Sequence, residues 1–215
     1  MISLRGASKA LSLLPLVTSL LYAPPVSAQV KPDALALYRN GQYEEAIRTC
    51  LDELAASPKD IESYAVLGWS LLKLARYHEA VDYELAALAI APHDSRIVEI
   101  LGQGYYFLGN DSQALKYFQG YAVLAPTGDR IDDTYYYMGE IFIRMKQYAR
   151  ADIAISTAVH FSPNVAQWWA RLGYAREMEK DPSMAKVAYD RALELNPLLQ
   201  DALRGRERVE ALLRR

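Results

Sequence analysis

From residue 33 onward, apolar side chains recur at helical spacing in short stretches separated by polar or proline-bearing turns. Such spacing puts the apolar side chains on one face of a helix. The pattern predicts helices near residues 33–41, 43–56, 60–74, 77–90, 94–108, 111–124, 130–145, 148–161, 165–179, 182–195 and 199–214, and no strand. These are ten paired helices and one terminal helix. Before them, an apolar stretch from Leu11 to Tyr22 stands apart from the amphipathic pattern.

Three columns of residues share one period. Pro58, Pro92, Pro126, Pro163 and Pro197 lie 34, 34, 37 and 34 residues apart. Ala46, Ala80, Ala114, Ala151 and Ala185 repeat those spacings, as do Ala34, Gly68, Gly102, Gly139 and Gly173. Small residues are expected where helices approach most closely, and proline ends the second helix of each unit because it cannot continue one. A single pair cannot bury its apolar face, so the pairs stack. Asn110-Asp111-Ser112 and Asp181-Pro182 read as helix starts. Tyr43, Tyr77 and Tyr148 recur just before the second helices and can cover the turns.

The residues around these columns resemble the tetratricopeptide repeat. Repeat two, Ile61 to Asp94, carries Tyr64, Leu67-Gly68, Leu71, Ala80, Ala87 and Pro92. Repeat three has Leu101-Gly102, Tyr105, Ala114, Phe118 and Pro126; repeat four has Tyr135, Met138-Gly139, Phe142, Ala151, Ala158 and Pro163. Repeat five has Trp169, Leu172-Gly173, Ala185, Tyr189, Ala192 and Pro197. Repeat one matches only in its second half, through Gly41, Tyr43, Ala46 and Pro58. The resemblance implies an all-α, right-handed α-solenoid of stacked antiparallel helix pairs, with five repeats over residues 29–199. Residues 200–215 are expected to form a capping helix, with Ala202, Gly205, Val209 and Leu212 on its inner face. Its arginines suggest a nucleic-acid patch, but Asp201, Glu207 and Glu210 dilute them, and a solvated outer face suits a cap.

In proteins of this family the first helix of each repeat lines the concave face, where ligands commonly lie. The resemblance therefore implies a groove formed by Tyr38 and Arg39; Trp69, Leu72 and Lys73; Glu99, Gln103, Tyr106 and Phe107. Tyr136, Tyr137, Glu140, Ile143 and Arg144, then Arg171, Tyr174, Glu177 and Met178, continue it. The groove is rich in aromatic residues. Each large apolar anchor contributes about 1.5–3 kcal/mol when fully buried, so three or four give roughly micromolar binding after ordering costs. Packing between helices is the alternative role for Tyr106, Tyr136 and Tyr137. The Lys and Asn pattern that some family members use to hold a C-terminal carboxylate is missing: Ala65 and Trp69, Glu99 and Gln103, and Tyr136 and Glu140 stand there instead.

Residues 1–28 change the setting. Arg5 and Lys9, the apolar run, and Val26-Ser27-Ala28 follow the order of a secretory signal peptide cleaved after Ala28. An uncleaved N-terminal anchor is the alternative. The run is shorter than the roughly 20 residues of a spanning helix, so no membrane span is expected after cleavage. The net charge of −2 draws the chain to neither nucleic acid nor an anionic surface. The single cysteine, Cys50, excludes an intrachain disulfide and reads as a buried thiol rather than a nucleophile. His78, His93 and His160 form no ligand pair, and Gly102-Gln103-Gly104 falls inside a helix, so no catalytic, cofactor or metal site is expected. The expectation is an exported, non-enzymatic module or scaffold of the bacterial envelope, periplasmic or otherwise extracytoplasmic, that holds a peptide or helix of a partner protein. The alternative is a periplasmic carrier for a small apolar ligand beside a transporter; a scaffold binding through its convex face is a third.

Overall fold

The computed structural model describes residues 33–214. The segment read as a signal peptide, residues 1–28, lies outside them. Among the described residues there are eleven helices and no strand. They are α1 (Ala34–Arg39), α2 (Tyr43–Ala56), α3 (Ile61–Lys73), α4 (Tyr77–Ile90), α5 (Ser95–Phe107), α6 (Asp111–Leu124), α7 (Ile131–Arg144), α8 (Tyr148–Phe161), α9 (Ala166–Met178), α10 (Pro182–Leu195) and α11 (Gln200–Leu213). Each helix packs on the next, and α1, α3, α5 and α7 also lie side by side. The result is a solenoid of antiparallel pairs with the odd-numbered helices forming one layer.

Local chemistry sets the ends. Asp33, Asp60, Asp94, Asn110 and Asp181 cap α1, α3, α5, α6 and α10, each side chain accepting a first-turn backbone N–H. The prolines follow the C-caps Ser57, Ala91, Ala125, Ser162 and Asn196, so the second helices stop before the residue preceding proline. Tyr43, Tyr77 and Tyr148 are the first residues of α2, α4 and α8 rather than residues of the turns. Within the pairs, the turns pass through left-handed backbone at Gly41, Ala75, Gly109, Lys146 and Lys180. Gly41 ends α1 two residues earlier than the sequence suggests.

The small-residue column sits at the helix crossings as expected. A Cβ on Gly102 would stand 2.6 Å from the Phe118 ring, and one on Gly139 2.3 Å from Ile155 Cγ1. Cys50 is fully buried, and burial pushes its thiol up to about 12. On α11, Ala202, Gly205 and Val209 are buried, whereas Leu212 is exposed at the helix end.

The three-residue insertion departs from expectation. The 37-residue spacing places three extra residues at Asp129-Arg130-Ile131, and the sequence suggests that they add a turn to the start of the next helix with Asp129 as its N-cap. Instead Asp129 and Arg130 form a turn, Arg130 occupies the N-cap position without a side-chain cap bond, and α7 begins at Ile131. Only one added residue joins the helix; the rest lengthens the connection. Ile131 packs beside Tyr121 and Tyr135 in the core, which fixes where α7 starts. The shift places Arg130 at the edge of the concave layer.

Candidate groove on the concave layer

The odd-numbered helices enclose a trough of about 660 Å³, running from α1 across α3 and α5 to the turn before α7. Tyr38, Trp69, Leu72, Phe107 and Tyr137 line it, and Glu99 and Gln103 form part of its floor. Tyr38 and Trp69 lie 5.9 Å apart between ring centroids, and Phe107 stacks on Tyr77 at 4.8 Å. Tyr137 stacks on the buried Phe118 at 5.6 Å, so its ring joins core and trough. Burial, with Asp133 next, pushes the Tyr137 phenol up to about 12. The phenol therefore stays protonated at neutral pH and can donate.

The remaining expected positions lie on the same layer but outside this trough. Tyr136 stacks on Trp168 at 5.0 Å, and Tyr106 contacts Tyr137 at 4.6 Å. Glu140 holds Arg171 through bonds of 2.6 and 2.9 Å, and the Arg171 guanidinium lies 5.2 Å from the Tyr174 ring centre. Arg144 reaches Asp111 at 2.5 Å and lies 4.4 Å from the Tyr106 ring centre. Glu177 receives Arg208 from α11 and the Tyr189 hydroxyl. Ile143 is a core residue rather than a groove residue, and Met178 is exposed. The C-terminal half of the layer thus satisfies its charges and stacks its rings internally. The N-terminal half leaves apolar surface facing an open volume.

Arg130 is the main residue that helical register alone does not identify. Its backbone N–H donates to the Tyr121 hydroxyl at 3.2 Å. Its guanidinium reaches Asp133 at 2.9 Å and comes within 3.5 Å of Glu99. Glu99 is 2 % exposed and also accepts a bond from the Gln103 amide. Burial outweighs Arg130 and holds the Glu99 carboxyl above the usual range. Arg96, engaged by Asp94 and Glu62, borders the trough as well, and Arg39 and Lys73 are exposed at its edge. The length of the insertion marked this place in the sequence, but not which side chain it delivers.

Among the described residues, no group of three or more His, Cys, Asp or Glu side chains is placed to hold a metal ion. Nor is any described helix long and apolar enough to cross a membrane.

Comparison with known proteins agrees with this architecture. Residues 61–94 match the family described as "Tetratricopeptide repeat". No curated protein matches the sequence. Among solved structures, MamA (residues 41 to the end) from Desulfovibrio magneticus RS-1 is 21% identical, with a TM-score of 0.68 over 78% of this chain and 93% of that one. YrrB, described as a tetratricopeptide-repeat protein with an unusual peptide-binding site, is 18% identical, with a TM-score of 0.68 over 81% and 88%. The Cut9–Hcn1 hetero-tetramer is 20% identical, with a TM-score of 0.68 over 82% of this chain and 34% of that one. Residues 61–94 thus match a tetratricopeptide repeat, and the chain has the α-solenoid fold of these structures.

Proposed function

We propose that the chain is a tetratricopeptide-repeat protein and a non-enzymatic binding module that holds an extended segment of a partner protein across α1, α3, α5 and the start of α7. The observation that carries this reading is the aromatic trough of about 660 Å³, whose lining includes the exposed ring of Phe107. Three gaps between neighbouring helices, at roughly 8–10 Å each, accommodate about eight extended residues at about 3.3 Å apiece. Aromatic walls supply apolar contact, and Gln103 and Tyr137 supply polar groups for the segment's backbone. The peptide-binding site named for YrrB supports the class of ligand. The signal-peptide pattern of residues 1–28 supports export to the bacterial envelope, in the periplasm.

The volume also falls within the range of small-ligand sites, which keeps a small apolar ligand as the competing occupant. Binding to an array of eight-residue peptides separates the two, with Trp69→Ala and Phe107→Ala as paired controls. Peptide capture that both substitutions abolish, while helicity is retained, supports the proposal. Capture unaffected by either substitution moves binding away from the trough. A lipid-like or aromatic molecule retained in native mass spectra, together with no peptide capture, favours the carrier.

A further inference from the structure

The inference rests on the peptide reading above and concerns the chemistry of the occupant. Glu99 is a carboxylate buried at the floor of the trough. The groups facing it are Gln103 on α5, Arg130 before α7, Asp133 and Tyr137 on α7, Tyr121 on α6, Tyr38 on α1 and Glu84 on α4. Arg130 is the one cation in this set.

Arg130 stands where helix electrostatics do not favour it. It occupies the N-terminal end of α7, and a cation there opposes the helix dipole. Its half-exposed guanidinium nevertheless spans Glu99 and Asp133. Arg39 and Lys73, by contrast, sit at the C-terminal ends of α1 and α3, where the dipole suits them. Both are exposed beside the trough and form no ion pair with a described residue among the contacts of the molecule. Of the acids lining the trough, Asp129 is exposed, while Glu99 is buried and engaged. A ligand entering the trough therefore meets cations at its edge and, at its floor, a cation held by a carboxylate that burial already disfavours in its charged form.

We propose that the trough selects an acidic, aromatic-anchored segment, and that Glu99 takes up one proton as a ligand carboxylate replaces it on Arg130. The exchange is balanced. The proton comes from solvent, the Arg130–Glu99 contact gives way to one between Arg130 and the ligand, and the neutral Glu99 carbonyl still accepts from Gln103. Binding coupled to proton uptake strengthens as pH falls, by at most about tenfold per pH unit for one proton.

Three acetylated and amidated eight-residue peptides test this, each alternating Phe with Asp, Ser or Lys. Isothermal titration at pH 5.5, 6.5 and 7.5, in buffers of different ionisation enthalpy, measures affinity and proton uptake together. The Asp peptide remains charged throughout, since free Asp titrates near pH 3.9. The expected result is tighter binding of the Asp peptide than of the other two, increasing towards pH 5.5, with proton uptake. Glu99→Gln should bind it more tightly at pH 7.5 and lose both the pH slope and the uptake. Arg130→Gln should weaken the Asp peptide more than the Ser peptide, removing the preference between them, with circular dichroism confirming the fold of both variants. Trough-dependent binding that prefers Ser or Lys, or that takes up no proton, overturns this inference and leaves the peptide reading standing. Failure of all three peptides to bind in a Trp69-dependent manner overturns both.

Discussion

The Glu84 carboxylate lies against Gly68 so closely that a Cβ on Gly68 would stand 2.0 Å from Glu84 Oε1. Sixteen residues separate the two, and the same relation recurs between Gly102 and Phe118, Gly139 and Ile155, and Gly173 and Tyr189. Glu84 therefore occupies a core position filled by apolar or aromatic side chains in the following repeats. It is fully buried, and neither carboxylate oxygen has a hydrogen-bond partner among the described residues.

Replacing Glu84 with the unbranched apolar Met is expected to stabilise the fold by about 1–3 kcal/mol at pH 7, because an unsatisfied buried acid is removed at similar volume. Burial raises the Glu84 carboxyl well above its ordinary range; Asp94 and Glu99 add to this and Arg96 opposes it. A raised folded pKa gives stability that is present below the unfolded value, near 4.3, and lost as pH rises through the folded value. The advantage of Glu84→Met over wild type should therefore be larger at pH 8 than at pH 5. Urea denaturation at the two pH values measures it; an advantage that shrinks with rising pH would contradict the assignment.

The glycine column predicts a coupled response. Gly102→Ala and Gly139→Ala improve helix propensity, yet their Cβ atoms meet Phe118 and Ile155 at 2.6 and 2.3 Å. Overpacking should win, lowering stability by about 1–3 kcal/mol. Gly102→Ala combined with Phe118→Leu should lose less than the sum of the single changes. Strict additivity in that double-mutant cycle would show that the two residues do not contend for one space.

The turns offer a gain. Ala75, Lys146 and Lys180 adopt φ of 57°, 57° and 67°, in the column where Gly41 and Gly109 adopt 78° and 74°. Left-handed backbone costs an L-residue about 1–2 kcal/mol, partly offset by the greater chain entropy of glycine when unfolded. Each of Ala75→Gly, Lys146→Gly and Lys180→Gly should therefore stabilise by about 0.5–1 kcal/mol, and Gly109→Ala should destabilise. Thermal midpoints that fall in all three glycine variants would refute this account.

Much of the architecture was legible because it is periodic. Gly102 and Pro126 sit in columns whose spacing fixes which helices approach and where they end, and no tertiary information is needed to place them. Features that depend on one side chain's surroundings were less accessible. Asp129 has the chemistry of an N-cap, but burial of Ile131 sets the start of α7 and leaves Arg130 at the cap instead. Tyr136 and Tyr137 are neighbours in sequence, yet one stacks on Trp168 and the other faces the trough. Register assigned both to the concave layer. Only the partner across the interface distinguishes packing from an available surface.

The C-terminal helix carries the last prediction. The Tyr189 ring is pressed between Gly173 on α9 and Gly205 on α11, where added Cβ atoms would stand 2.7 and 2.2 Å from it. Its hydroxyl donates to Glu177, which also receives two bonds from Arg208. Ala202 and Val209 complete the cover. Beyond Arg208, Arg206 lies 3.8 Å from Asp190 on α10, whereas Arg204 and Arg214 are exposed. That pattern fits a cap with a solvated outer face. Truncation after Leu199 should therefore expose Tyr189, Ala192 and Leu193, lower the thermal midpoint and drive self-association of the shortened chain. Gly205→Val should lower the midpoint through the clash with Tyr189 while leaving most of the cover in place, and so should remain monodisperse relative to wild type. Thermal denaturation and sedimentation velocity measure the two effects separately. A truncated chain with an unchanged midpoint and sedimentation profile would show that α11 is an appendage, and that α10 can end the solenoid unaided.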